Sequence, residues 1–377
     1  MRIAVVATGG FHPSGREQVV PLWLALFSRL ARAHEIHVFV LRHLPDAQTY
    51  SLLGFDVHNL GRPSAPFGLT RLAQEQALHR ALAIHGPFDL IHGLWGDPAG
   101  TLAVGMGRAF AIPSVVTFDS GEFVSLPAID YGSQRTARGR RAIAGAAQAT
   151  RAHVCTEFMA TLARAHGLSP VVIPLTTVTS ESARSDRTSL RPSVVRPSLR
   201  LIQIASLNRV KNQRLLIDAM TMLTSSVDVH LDLVGEDTLD GELQRYAAER
   251  GVAHLVTFHG FVAHDLLAPL RDAADFYVQT SLHEGSGVAV LEAAAAGLPI
   301  VGTRVGHLAD WAGDKALAIN TVSADAMAKA LLSLATDRDR AVTVAARAQR
   351  WVIERDAAWA AGQVQALYLD AAARRST

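Results

Sequence analysis

The chain has 377 residues, 49% hydrophobic and 19% charged, so it is long enough for two cores of ordinary size and too apolar to be intrinsically disordered. Basic side chains number 36 against 34 acidic ones, a formal charge of +2 that speaks against a dedicated nucleic-acid binder. The single cysteine, Cys155, has no disulfide partner and no Cys-x-x-Cys neighbour for zinc or redox chemistry, which fits a reducing compartment.

The N-terminal residues Ile3 to Ala7 form a short, largely β-branched run that leads into Gly9-Gly10 and lacks the apolar length of a signal peptide; they read as a first strand. No stretch of about eighteen apolar residues runs without a charge, which argues against a spanning helix and leaves peripheral membrane contact as the most to expect of a cytoplasmic protein. Apolar runs then alternate with segments of helical period. Gln18–Ala33 is followed by Ile36–Leu41, Leu69–Ile84 by Leu90–Gly93, and a helical stretch ends at Phe110 before Ser114–Phe118. Arg140–Ala149, His153–Cys155, Phe158–His166 and Val171–Ile173 complete a first series. This alternation predicts α/β units around a doubly wound parallel sheet.

Composition shifts to Thr, Ser, Arg and Pro between Thr176 and Arg200, which predicts a linker over 179–199. The alternation restarts at Leu201–Ala205 and continues through helices at Gln213–Leu223 and Glu242–Arg250. Strands are expected at Val229–Val234, Val256–Phe258, Phe276–Gln279, Pro299–Thr303 and Ala316–Ile319. The expected organisation is therefore a domain over 1–178, a second over 200–350, and a terminal helical segment, 351–377, returning to the first. Two such domains facing each other would bind ligand in a cleft at the carboxyl ends of their strands.

The densest signal is Ser281-Leu-His-Glu-Gly-Ser-Gly, where a strand ends, a glycine turn follows and a helix begins near Val288. Such a turn aims backbone N–H groups and the positive end of a helix at whatever lies over Gly285, Ser286 and Gly287, which suits a phosphate or a sugar hydroxyl. A bare Gly-x-Gly more often only starts a helix, with its acidic neighbours solvated. The full pattern is more specific. Glu284 and Glu292 stand in a Glu-x7-Glu frame, with Ser281 before it and Ala293, Gly297, Pro299 and Val301 after it. This resembles the donor-site signature of retaining GT-B glycosyltransferases of the family 4 type, and further matches run along nearly the whole chain.

The resemblance implies a GT-B fold of two Rossmann-like domains and a nucleotide-sugar donor. Lys211, within Ala205-Ser-Leu-Asn-Arg-Val-Lys, is similar to the family's diphosphate-gripping lysine, and it is one of three lysines in the chain. Gly235 matches the family's strand-end glycine, and Phe261 and Val262 its nucleobase turn. Glu284 is implied on the donor sugar, Glu292 on the ribose, and Gly285 to Gly287 on sugar and phosphate. On the acceptor side the resemblance points to Gly9, Gly10, Arg16, His92 and Asp119, although His92 reads equally well as a satisfied strand-end histidine. Ser206 stands where the family carries an arginine, which leaves Arg209 to supply a guanidinium. Asp119 stands where many relatives carry histidine, which makes it, with Glu284 and Lys211, a catalytic candidate as a carboxylate base, although the resemblance implies that the leaving phosphate itself can take the acceptor proton; Pro174-Leu-Thr-Thr-Val replaces Pro-Asn-Gly-Val-Asp.

No Asp-x-Asp occurs at a strand end; Asp337-Arg-Asp339 lies in a charged helical stretch, so no obligatory metal and no cofactor is expected beyond the nucleotide sugar itself. Charge on the departing diphosphate would fall to Lys211, the helix at Val288 and the Gly9-Gly10 turn with Arg16. The expected function is transfer of a hexosyl unit, with retention, to a hydroxyl acceptor: a glycan, a lipid-linked glycan or a small molecule. A non-catalytic nucleotide- or glycan-binding descendant is the alternative. A dinucleotide-dependent oxidoreductase ranks last, because Gly9-Gly-Phe-His-Pro-Ser-Gly is not a Gly-x-Gly-x-x-Gly turn.

Overall fold

The computed structural model describes residues 1–62, 70–179 and 199–374, in two compact units: Met1–Thr177 with Ala357–Thr377, and Val178–Asp356. The linker expected over 179–199 lies outside the described residues apart from its two ends. The second unit begins with Val178, which is buried in that unit's core.

The first unit contains β1 (Arg2–Ala7), α1 (Pro21–Leu30), β2 (Glu35–Val40), β3 (Ala47–Leu52), β4 (Phe55–Leu60), α2 (Thr70–His85), β5 (Leu90–Leu94), α3 (Thr101–Ala109), β6 (Ser114–Phe118), α4 (Ala137–Ala146), β7 (Arg151–Val154), α5 (Glu157–Ala165) and β8 (Val171–Val172). Its strands lie in the order β3-β4-β2-β1-β5-β6-β7-β8, every pair parallel except β3 with β4. Five of the six β1 residues are buried, as helices on both faces of a parallel sheet require. The β3–β4 hairpin is an addition to the expected series. It turns through Leu53 and Gly54, both at positive φ (51° and 89°), as a two-residue hairpin turn of the primed type demands.

The second unit contains β9 (Leu199–Ile204), α6 (Gln213–Leu223), β10 (Val229–Val234), α7 (Glu242–Glu249), β11 (Val256–Gly260), α8 (Ala268–Ala273), β12 (Phe276–Gln279), α9 (Val288–Ala295), β13 (Ile300–Thr303), α10 (His307–Trp311), β14 (Leu317–Ile319), α11 (Ala324–Thr336) and α12 (Arg338–Glu354). Its sheet, β11-β10-β9-β12-β13-β14, is parallel throughout.

The expected terminal segment is two helices. α12 ends at Glu354, and α13 (Ala357–Ala373) packs on the first unit against α1. The division thus falls at Asp356/Ala357 rather than 350/351, because Trp351 packs on Trp311 with ring centres 5.1 Å apart and Val352 is buried in the second unit's core.

A buried hydrogen-bonded chain ties α13 to the first sheet. Tyr368 Oη lies 2.7 Å from His92 Nδ1, His92 Nε2 lies 2.8 Å from Thr117 Oγ1, Thr117 Oγ1 lies 2.8 Å from His153 Nδ1, and His153 Nε2 lies 2.9 Å from the Ile173 carbonyl. Burial lowers His92 to about 3 and His153 to about 4, so both rings are neutral near pH 7. The directions follow from the last acceptor. A carbonyl only accepts, so His153 Nε2 donates to it, Thr117 donates to His153 Nδ1, His92 Nε2 donates to Thr117, and Tyr368 donates to His92 Nδ1. Tyr368→Phe removes the terminal donor and leaves a buried nitrogen unpaired. It is expected to cost about 1–3 kcal/mol, read as a lower thermal midpoint for the first unit.

Candidate active site

In the second unit the chain winds outward from β9 to β10 and β11 on one side and from β12 to β13 and β14 on the other. The carboxyl ends of β9 and β12 therefore flank the reversal of strand order, the position where open parallel sheets bind ligands. Lys211 follows β9 and Glu284 follows β12.

Backbone and hydroxyl contacts bring these two loops together. Leu282 N–H donates to the Val210 carbonyl at 2.8 Å, and the Thr280 hydroxyl donates to the Lys211 carbonyl at 2.8 Å. Asn208 Oδ1 accepts the Lys211 N–H at 3.0 Å, and Asn212 takes a left-handed φ of 51° to enter α6. Lys211 Nζ consequently lies 2.6 Å from Glu284 Oε1, with side chains 24% and 10% exposed, and the Ser281 hydroxyl donates to the same oxygen at 2.5 Å. The pair is sheltered but reachable, so its charges are less screened than on an open surface.

The glycine turn is shaped by close approach. Gly287 caps α9 at φ 81°, and a Cβ there would meet Gln279 Oε1 at 3.1 Å. Gly306, at φ 54°, lies under the turn, where a Cβ would stand 2.8 Å from the Ser286 carbonyl and 3.0 Å from Glu284 Cβ. The Ser286 hydroxyl is buried without a hydrogen-bond partner among the described residues. Gly235, at φ 152°, is demanded by packing: a Cβ would lie 2.1 Å from the Ala205 carbonyl.

Glu292, on α9 and 8% exposed, is held by His264 at 2.6 Å and Arg271 at 3.0 Å. The Glu292 hydrogen bond raises His264 above the ordinary histidine value, against the opposing pull of burial. Neither partner was evident in the sequence, since His264 and Arg271 carry no motif of their own. Phe261 is 62% exposed and Val262 is half-buried, so the turn after β11 presents an open apolar face. Arg209 is 61% exposed and pairs with Glu242 at 3.3 Å; the contact it makes is with α7, beside Arg214, and it is not seen replacing the guanidinium that Ser206 lacks.

The acceptor-side residues are more scattered. His92 is 1% exposed with both ring nitrogens engaged, so its role is structural and the acceptor assignment is corrected. Asp119 accepts from the buried Cys155 thiol, and burial first, then Asp119, pushes that thiol well up. Gly10, at φ 88°, makes the turn after β1, where a Cβ would meet Val20 Cγ2 at 2.8 Å; a Cβ on Gly9 would meet His43 Nδ1 at 3.3 Å. Arg16 is exposed on the loop that follows.

A cavity of about 550 Å³ opens instead at Thr8, Trp95 and Ser120, just beyond β1, β5 and β6. In this sheet the order reverses between β1 and β5, so the cavity occupies the corresponding switch point. Glu122 staples its floor, accepting the Gly96 N–H at 3.1 Å and the Ser120 N–H at 2.7 Å, and burial raises its carboxyl. None of Gly9, Gly10, Arg16, His92 or Asp119 lines it. The sequence signal for the cavity was the pair of strand ends, Gly93-Leu-Trp95 and Asp119-Ser-Gly-Glu122, rather than the individual residues. Among the described residues no group of three or more His, Cys, Asp or Glu side chains is arranged to hold a metal, and no helix is long and apolar enough to cross a membrane.

Comparison with known proteins agrees with this geometry. Residues 198–337 match the family model of the glycosyl transferases group 1, and residues 19–176 that of the glycosyl transferase 4-like domain. The chain is 25% identical over 281 residues to D-inositol 3-phosphate glycosyltransferase of Paenarthrobacter aurescens, covering 70% of this chain and 68% of that protein. It is 33% identical over 152 residues to the GDP-mannose-dependent alpha-(1-6)-phosphatidylinositol monomannoside mannosyltransferase of Mycobacterium tuberculosis, covering 38% and 40%. Among solved structures, sucrose-phosphate synthase from Thermosynechococcus elongatus superposes with a TM-score of 0.80 at 20% identity, covering 98% of both chains. Anabaena HepE in complex with UDP-glucose gives 0.76 at 18%, covering 98% of this chain and all of that one. Two parallel-sheet α/β units, a lysine–glutamate pair at the second sheet's switch point and family models over both halves lead to one conclusion: the chain belongs to the family 4 type of glycosyltransferases with the GT-B fold.

Proposed function

We propose that the protein transfers a hexosyl unit from a nucleotide-diphospho-sugar to a hydroxyl acceptor with retention of configuration and without a metal ion. The observation that carries this reading is the Lys211–Glu284 pair beside the glycine turn that opens α9. On this reading the diphosphate lies over Gly285 to Gly287, where the turn and the α9 dipole meet it, and Lys211 adds a full positive charge. The unpartnered Ser286 hydroxyl supports the placement, because a buried hydroxyl without a partner costs free energy that a bound oxygen would offset. Glu284 accepts from hydroxyls of the donor sugar and Glu292 from the ribose, its orientation set by His264 and Arg271. Phe261 offers its open face to the base.

In the transfer step the acceptor oxygen bonds to the anomeric carbon as the bond from that carbon to the diphosphate oxygen breaks. The acceptor proton passes to the departing phosphate, on the face from which it leaves. No protein base is required, in keeping with Asp119 being engaged by Cys155. Lys211 and the α9 terminus stabilise charge as it builds on the leaving group. A cytoplasmic location belongs to the same proposal and is supported by the single, buried cysteine.

Calorimetric titration with UDP-, GDP-, ADP- and dTDP-sugars in the presence of a chelator tests the donor assignment. One donor is expected to bind selectively with its affinity unchanged by the chelator. Absence of binding by every nucleotide sugar would refute the donor site and move a non-catalytic role to the front, and binding only with added metal would remove metal independence.

A further inference from the structure

The hydrogen bonds that seat Lys211 run deeper into the second sheet than the site itself. We propose that Gln203 and Thr280 are positioning residues: they fix the backbone of Lys211 so that its ammonium stands where the diphosphate departs, and so set the rate of transfer without touching the substrate. The inference rests on the transferase reading and adds to it the residues that hold its cation in place.

Gln203 lies buried in β9, where its neighbour across the ladder is Leu233. A strand inside a parallel sheet covered on both faces calls for apolar residues, and a buried amide there costs free energy unless its polar atoms are paired. Nε2 donates to Thr280 Oγ1 at 3.2 Å, while Oε1 is buried with no partner among the described residues. Thr280, buried just past the carboxyl end of β12, passes the bond on: its hydroxyl donates to the Lys211 carbonyl at 2.8 Å. The direction is fixed from the far end. A carbonyl only accepts, so the one hydroxyl proton goes to Lys211 and the hydroxyl oxygen accepts from the amide. Asn208 accepts the Lys211 N–H at 3.0 Å, and the Val210 carbonyl accepts the Leu282 N–H at 2.8 Å. The peptide groups on both sides of the Lys211 Cα are therefore held.

That anchoring answers a mechanical need. The lysine side chain is a flexible four-carbon stem, and the Glu284 contact at 2.6 Å restrains only its tip. When a donor's diphosphate competes for the ammonium, the reach of the side chain is set by where its Cα stands. A displacement of about 1 Å at a catalytic group can cost on the order of a hundredfold in rate. β9 and β12, paired through Leu201 with Phe276 and Ile202 with Tyr277, carry the anchor on rigid strands. A second pair of hydroxyls serves the carboxylate: Thr303, buried at the end of β13, donates to the Ser281 carbonyl at 2.6 Å, and the Ser281 hydroxyl donates to Glu284. The unpaired oxygen of Gln203 separates this arrangement from ordinary packing. An apolar residue of similar volume would fill the place without that penalty, so stability alone does not account for the amide.

The test uses the full-length protein with UDP-glucose, GDP-mannose, ADP-glucose and dTDP-glucose. Kd is taken by calorimetry, and the rate from nucleoside diphosphate released with water in place of the acceptor. Because the chain has three lysines, Lys211, Lys315 and Lys329, incorporation of ε-13C-lysine gives three side-chain signals, assigned with Lys211→Met. Thr280→Val keeps the shape and removes the hydroxyl, Thr280→Ser restores the hydroxyl, and Gln203→Met removes the amide. For the donor that binds, Thr280→Val is expected to lower the release rate about ten- to a hundredfold with Kd within about threefold of wild type, and Thr280→Ser to stay within about twofold. Gln203→Met is expected to lower the rate about threefold or more while the thermal midpoint holds or rises, and it serves where Thr280→Val does not fold. The Lys211 signal moves towards that of the exposed Lys329 in Thr280→Val and keeps its place in Thr280→Ser. Tyr368→Phe, a buried loss in the first unit, lowers the midpoint and moves neither readout. Equal falls in Thr280→Val and Thr280→Ser, a Lys211 signal unmoved by Thr280→Val, or a Gln203→Met rate that only tracks a lower midpoint overturns the proposal. Where release into water is too slow to follow, the Lys211 signal decides alone. If no nucleotide sugar binds the wild-type protein, the transferase reading falls and the positioning role with it; if a donor binds and the variants match wild type, only the positioning role falls.

Discussion

Lys211→Met is expected to lower the transfer rate on the order of a hundred- to a thousandfold, with a smaller change in KM. The ammonium is the full positive charge that stands beside the glycine turn of the proposed donor site. A preorganised donor aimed at charge that develops in the transition state is worth about 10²–10³ in rate. Because Glu284 is 10% exposed, removing Lys211 alone leaves a sheltered carboxylate holding only the Ser281 hydroxyl, and the thermal midpoint is expected to fall as well. The double variant Lys211→Met/Glu284→Gln separates the two effects. It removes both charges at similar volume, so stability is expected to return towards wild type while transfer stays at the level of the single variant or below. A single variant transferring within about fivefold of wild type would remove Lys211 from catalysis. A double variant that regained both stability and transfer would show that the pair serves the fold alone.

The two residues of that pair were legible in the sequence because each follows a strand that reads as an apolar run. Phe276–Gln279 and Leu201–Ala205 carry the signature of strands buried on both faces, and the loops behind them contain the glycines and the lysine that a phosphate site requires. Elements outside that rule were harder to read. The exposed β3 strand, Ala47–Leu52, is mostly polar because one edge of the sheet faces solvent, and it gave no apolar run to find. The break at Arg355–Asp356 has neither glycine nor proline, so Arg350–Ala373 kept a helical period across it although Trp351 and Val352 pack in one unit and Tyr368 in the other.

His92 illustrates a different limit. Its strand-end position fitted an acceptor contact as well as a core site, and the residue that decides between them, Tyr368, lies 276 positions away. The second sheet's partners for Glu292 were hidden for the same reason, since His264 and Arg271 sit on separate short helices that only the fold brings together.

Acidification between pH 7.5 and pH 5.5 is expected to destabilise the first unit more steeply than the second. Burial lowers His58 to about 4, His92 to about 3 and His153 to about 4, and it lowers His34, His43 and His85 as well; all six lie in the first unit, whereas in the second burial lowers His307 to about 3. The ordinary histidine value is about 6.5. The unfolded chain therefore takes up protons on these side chains as pH falls through that value, while the folded chain does not. Their stabilisation is fully present above about pH 6.5 and is lost progressively towards pH 4, at up to about 1.4 kcal/mol per pH unit for each group once the unfolded form is protonated. His264 runs the other way. Its value is raised, so what it contributes to the second unit is present below its unfolded value and lost as pH rises through the folded one. Most carboxylates titrate below this window, so the histidines dominate it. Calorimetric unfolding across the range, with proton uptake measured from buffers of different ionisation enthalpy, checks the expectation. The transition of the first unit should move down with pH and take up at least about three protons near pH 5.5, against about one for the second. His58→Gln should remove one proton from the first count and flatten its slope. A midpoint that stays level from pH 7.5 to 5.5, or equal slopes for both transitions, would mean that these rings are not held neutral by burial.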